Sequence, residues 1–100
     1  MNPIQELISP AQLEAFCRRH HIRKLALFGS VLDERFGPDS DVDVLVEFEP
    51  SNVPGLAFFA MQDELAALFA RPVDLHTPRS LSRYFRDQVL AEAQVQYVAA

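Results

Sequence analysis

Three aspartates and one Gly-Ser pair are the residues of this chain whose types and spacing suit chemistry. Asp41 and Asp43 stand two apart at the start of an apolar run, Asp41–Phe48. On a strand their side chains leave the same face, roughly 7 Å apart along the chain. Neighbouring carboxylates repel each other and resist burial. A divalent cation resolves both problems, and Mg²⁺ is commonly held by one or two carboxylates together with substrate phosphates. Asp74, in Pro72-Val73-Asp74-Leu75-His76, completes a three-carboxylate cluster if that short run pairs beside Asp41–Phe48. Two ions in such a cluster activate a nucleophile and stabilise a leaving oxygen. Asp39, Asp41, Asp43, Glu47 and Glu49 share one stretch without a lysine or arginine. Taken alone, a D-x-D at a strand start also reads as a solvated strand end.

Gly29-Ser30 closes the apolar run Leu25–Phe28. Glycine lets the backbone turn and approach a ligand closely. Backbone N–H groups at the next helix start, with the Ser30 hydroxyl, suit a phosphate. The pair reads equally as a plain strand-to-helix turn, and no Gly-Lys-Ser/Thr follows to make a P-loop. His20, His21 and His76 do not form a zinc set. His20-His21 sits at a helix exit, where histidine suits the dipole. His76 lies two beyond Asp74 on the same strand face, open to a supporting role near the metals.

The elements that must position these residues are readable in order. Ser9-Pro10-Ala11-Gln12 is a helix start with a capping box and proline at the first position. Leu13, Phe16 and Cys17 form its apolar stripe, and the helix ends near His20. Leu25–Phe28 is a buried strand, Val31–Phe36 a short helix, and Gly37-Pro38 a turn. In Asp41–Phe48 the period of two sends Val42, Val44, Val46 and Phe48 one way. Asp41, Asp43, Leu45 and Glu47 face the other. Ala57–Phe69 is a helix with Phe58, Met61, Leu65, Leu68 and Phe69 inward. Pro72–His76 is a third strand. A last helix from about Arg79 to Ala93 turns Leu81, Phe85, Val89 and Leu90 inward, and Val95–Ala99 is an edge strand or tail. Burial then requires an α/β (α+β) architecture, a small mixed β-sheet with helices packed on it. Strand order is left open by this pattern.

One hundred residues, 49% of them apolar, with eight Phe and no Trp, suit a single domain, 1–100, rather than two cores or a disordered chain. The formal net charge of -5 argues against a general nucleic-acid binder. The single cysteine, Cys17, excludes an intrachain disulfide framework and a multi-cysteine zinc site. Met1–Pro10 has no basic n-region with a long apolar core, and no window is long and apolar enough for a membrane span. A cytoplasmic setting is expected.

Joined, Gly29-Ser30 and Pro38-Asp39-Ser40-Asp41-Val42-Asp43 resemble the signature of the polymerase-beta-type nucleotidyltransferases. The chain is most similar to their minimal stand-alone form, the MNT domain. The resemblance runs from about Leu13 to Tyr97, with a core motif region at 25–76. It implies a polymerase-beta-like nucleotidyltransferase fold and metal-dependent transfer of AMP from ATP to an acceptor hydroxyl. Asp41, Asp43 and Asp74 match the catalytic and metal-binding carboxylates, for two Mg²⁺ ions. Gly29 and Ser30 match the phosphate grip. Relatives often carry an aromatic or basic residue after Gly-Ser, a basic residue two further on and then a glycine. Here those positions are Val31, Asp33 and Glu34, and Arg35 is the substitute cation for the triphosphate.

Stand-alone MNT proteins are often encoded beside a HEPN-type RNase toxin, so the resemblance implies an antitoxin that adenylylates a toxin hydroxyl. The altered Val31/Asp33/Glu34 segment supports an alternative, a non-catalytic antitoxin or regulatory subunit that neutralises by complex formation. Either leaves a homo- or hetero-oligomer open; the acidic charge and the lack of a long apolar window lead to the expectation of no direct DNA binding and no membrane. Arg79, Arg83 and Arg86, at i, i+4 and i+7 of the last helix, form a row that suits an acidic partner or a phosphate. It reads as well as a solvated face. Tyr84 and Tyr97 are hydroxyls open to self-modification.

Overall fold

The computed structural model describes residues 8–29, 40–51 and 54–99. Helix α1, Pro10–Arg19, starts at the expected cap. The Gln12 amide donates to Ser9 Oγ at 3.1 Å, and the Ser9 amide donates to Gln12 Oε1 at 3.4 Å. Such a cap contributes about 1 kcal/mol. Leu13, Phe16 and Cys17 are buried, and Arg18 and Arg19 meet the negative end of the helix. His20 caps the end, and His21, in the left-handed region at φ 57°, turns the chain into β1.

Strand β1, Ile22–Phe28, is longer than the apolar run suggests, because Arg23 and Lys24 occupy it by reaching out to Glu47. Strand β2 is Val42–Phe48, β3 is Val73–His76 and β4 is Gln94–Val98. The sheet order is β3-β2-β1-β4. β1 is antiparallel to β2 and to β4, and β2 is parallel to β3, so the sheet is mixed. Helix α2, Ala57–Phe69, makes the crossover that a parallel pair requires. Its inward row is Met61, Leu65 and Phe69, flanked by half-buried Phe58 and Leu68.

The core is one cluster between the helices and one sheet face. Val42, Val44 and Val46 from β2 and Leu25 and Leu27 from β1 are fully or almost fully buried there, under α1 and α2. That burial sets the rotation of β2, so Asp43 and Glu47 take the opposite face. Cys17 is buried in the same core, which pushes its thiol up to about 12.

The C-terminal end departs from expectation. The helix expected over Arg79–Ala93 is two pieces: a 3₁₀ turn, Pro78–Ser80, and helix α3, Arg83–Glu92. Thr77 and Ser80 cap each other across the turn, Leu81 is extended, and Ser82 starts α3 by accepting from the Tyr84 amide. Capping side chains have won over continuation of the helix. Nor does α3 bury the expected row. Phe85 is 61% and Leu90 43% exposed, while Val89 and Leu81 are only half-buried. The core is built from α1, α2 and the sheet, and α3 buries no residue in it. The segment expected as an edge strand or tail, Val95–Ala99, is the edge strand β4, set one residue earlier at Gln94–Val98 and paired to β1.

Candidate active site

Backbone register brings the chemistry together. Asp43 lies opposite Asp74 in the parallel β2/β3 pair and opposite Phe28 in the antiparallel β1/β2 pair. The Val42 amide donates to the Pro72 carbonyl at 2.9 Å and anchors the start of β3 against β2. His76 is opposite Leu45, two residues further along the same face. One ligand atom from each of Asp43, Asp74 and His76 lies within 4.8 Å of the others. Asp43 and His76 are half-buried and Asp74 is exposed, so the cluster opens to solvent on one side. The His76 ring rests edge-on against Phe28, with centroids 5.5 Å apart.

Gly29 is demanded twice here. Its φ of +79° is a conformation that L side chains rarely adopt, and a Cβ at this position would collide with Oδ2 of Asp43. Glycine was expected to let the backbone approach a ligand. What it admits in the structure is the Asp43 carboxylate, wedged against the end of β1.

The electrostatics of the cluster are unresolved by the protein itself. Burial pushes the Asp43 carboxyl above its ordinary value, Asp74 and Asp41 add to this, and His76 opposes it. Among the described residues neither Asp43 nor Asp74 forms an ion pair with Lys or Arg. A half-buried carboxylate with a second carboxylate beside it and no cationic partner fits a divalent cation, which neutralises the repulsion.

The other candidate residues divide. Asp41, just ahead of β2, is exposed and acts on Asp43 through its charge, while the tight cluster consists of Asp43, Asp74 and His76. Ser30 and Arg35 lie outside the described residues, as do Val31, Asp33, Glu34 and the expected helix Val31–Phe36. Arg79, Arg83 and Arg86 do not share one helix side, because the break at Leu81 separates Arg79 from α3. Arg83 stacks over the ring of Tyr84 at 5.2 Å. Arg86 is half-buried and donates to the Leu81 carbonyl at 3.0 Å. Of the two tyrosines, Tyr84 is 80% exposed, whereas Tyr97 is half-buried against the core. His76, noted in sequence only as an accessory, is the residue that completes the cluster. Its signal was the i, i+2 spacing from Asp74.

Two shallow hollows lie at the opposite end of β2, of about 380 and 300 Å³. They share Phe48 and Thr77. The first also holds Arg23, Glu47 and Arg79, and the second Phe58 and Phe59.

Residues 10–95 match the nucleotidyltransferase domain family. The chain is 35% identical over 88 residues to the protein adenylyltransferase MntA of Thermococcus cleftensis, covering 87% of each. A solved structure of a minimal nucleotidyltransferase superimposes with a TM-score of 0.73 at 31% identity, covering 93% of this chain and 94% of that one. The complex of the tri-AMPylated HEPN toxin of Shewanella oneidensis with its MNT antitoxin superimposes with a TM-score of 0.65 at 22% identity, covering 90% and 70%, and shares the fold. Among the described residues no helix is long and apolar enough to cross a membrane. With the Gly29 turn set against Asp43 and Asp74 on a mixed four-stranded sheet, the match over residues 10–95 means that this protein belongs to the nucleotidyltransferase domain family, in its minimal form.

Proposed function

We propose that this chain is a metal-dependent protein adenylyltransferase of the cytoplasm, working as one minimal domain. It moves AMP from ATP to a hydroxyl of a HEPN-type RNase toxin and so acts as its antitoxin. The observation that carries this reading is the convergence of Asp43 and Asp74 beside the Gly29 turn. The likeness to a protein adenylyltransferase and to an antitoxin bound to an AMPylated toxin supports the acceptor class.

In this reading Asp41, Asp43 and Asp74 hold two Mg²⁺ ions. When bound, these ions neutralise the triphosphate and activate both the attacking and the leaving oxygen. Gly29, Ser30 and Arg35 hold the distal phosphates. Asp74, exposed at the rim, takes the proton of the acceptor hydroxyl as its oxygen bonds the α-phosphorus. The bond from that phosphorus to the bridging oxygen breaks, and pyrophosphate leaves. Positioning supplies much of the rate. The test is to incubate the chain with its HEPN partner, radiolabelled ATP and Mg²⁺. Label should enter the partner protein; its absence from a formed complex overturns the reading.

A second reading is favoured by α3. Tyr84, Phe85 and Leu90 are exposed on a helix that buries no residue of its own. Such a surface suits neutralisation by binding alone. It predicts that a variant with both Asp41 and Asp43 changed to Asn still silences the toxin in cells. Loss of silencing despite an intact complex excludes it.

A further inference from the structure

Resting on the reading that Asp43 and Asp74 hold a divalent ion, we propose that His76 is a nitrogen ligand of that ion and turns the site from Mg²⁺ toward Mn²⁺. The ring shares one face with Asp74 and stands beside both carboxylates, with ligand atoms within 4.8 Å. The ring also meets Phe28 edge-on, with centroids 5.5 Å apart. Among the described residues it forms no hydrogen bond or ion pair with a protein group, so its nitrogens are uncommitted.

Those are the features of a ligand rather than of a charge partner. Had His76 served to neutralise Asp43 or Asp74 directly, it would pair with one of them, as His20 pairs with Glu64 at 2.8 Å. Instead the three side chains converge without bonding, which leaves the space between them to an ion. The donor set is two carboxylates and one imidazole. Mg²⁺ is hard, prefers oxygen and keeps several waters, so an imidazole gains it little. Ions of the first transition row accept nitrogen readily, with affinity rising from Mn²⁺ toward Cu²⁺. Mn²⁺ retains the carboxylate preference and the octahedral habit of Mg²⁺, and therefore gains most from this mixed set without a change of mechanism.

The experiment uses the full chain with Mn²⁺ and a non-hydrolysable ATP analogue. Electron spin-echo spectroscopy of the bound Mn²⁺ should show modulation from an imidazole nitrogen. His76→Phe keeps the ring against Phe28 but removes both nitrogens, and His76→Ala is the control for ring packing. In both variants the modulation should vanish. Mn²⁺ affinity should fall by at least about tenfold, the range over which even outer partners of a metal ligand act. Mg²⁺ affinity, read by competition, should fall by less than about threefold. Bound Mn²⁺ without nitrogen modulation, equal losses for the two ions, or no Mn²⁺ binding at all overturns the proposal. Label transfer is scored separately: modulation without transfer keeps His76 as a ligand and removes the adenylyltransferase reading.

Discussion

Glu64 and Asp43 each sit beside a histidine, and they end in opposite electrostatic states. Glu64, on α2, is bound by Arg19 Nη2 at 2.6 Å and His20 Nε2 at 2.8 Å from the end of α1. Burial works to raise its carboxyl, but the hydrogen bonds from His20 and Arg19, with their charges, outweigh it and hold it below the usual range. Asp43 is raised by burial and by its acidic neighbours, and His76 offsets this only in part. The first site ties two helices together and is finished within the chain. The second carries an electrostatic cost that the chain leaves in place, as expected where a ligand supplies the missing charge.

Several changes would break this contrast. Asp43→Asn carries the largest expected effect: AMP transfer to the partner falls by about 10³-fold or more, equivalent to ~4 kcal/mol of lost transition-state stabilisation. The same variant should melt no lower than the parent, because a repulsive, half-buried charge has gone. A fall of several degrees in the melting midpoint would show that Asp43 is structural.

Gly29→Ala should cost about 2 kcal/mol in a urea titration, from a left-handed residue and the displacement of Asp43. It should also lose transfer activity, because the carboxylate must move. Glu64→Gln should cost less, about 0.5–1 kcal/mol, since Glu64 and Arg19 are each more than a third exposed and screened. That cost should shrink in high salt.

The sharpest form of the comparison is its pH dependence. Glu64, lowered by folding, contributes stability that is complete above the ordinary glutamate range and lost as pH falls through its folded value. Asp43, raised by folding, has the opposite sign: the folded state is favoured below the ordinary aspartate range, and that advantage is lost as pH rises through the raised value. Urea titrations at pH 7 and near pH 3 should therefore show the deficit of Glu64→Gln and the surplus of Asp43→Asn both shrinking in acid. A divalent ion at pH 7 should raise the parent's stability and leave Asp43→Asn nearly unmoved.

The smallest effect on folding belongs to α3. Changing Tyr84 and Phe85 to Ser should shift stability by no more than about 0.5 kcal/mol per residue, because neither is buried. If the second functional reading holds, the same pair weakens the complex with the partner, measurable by calorimetry. A large loss of stability would instead show that α3 packs in solution.

Much of this was legible in the residues. The cap of α1, the limits of α2 and the alternation in β2 follow from local chemistry: a serine before a proline, apolar positions at helical spacing, valines at every second position. The start of the last helix and its inward row were not legible, because its apolar residues have helical spacing whether or not a surface exists to receive them. Ser80 and Ser82 held the signal for the break, yet serine caps and serine interiors look alike until the chain folds.

By itself the sequence determined that Asp43 and Asp74 lie on strands and that the chain turns at Gly29, since period and turn chemistry are properties of neighbouring residues. Only the tertiary structure decided which carboxylates meet. The parallel register of β2 and β3 pairs Asp43 with Asp74 and draws in His76, while Asp41, one residue outside the strand, stays at the rim. Register depends on which faces are buried and on how α2 carries the chain across, and both belong to the packed core rather than to any local stretch.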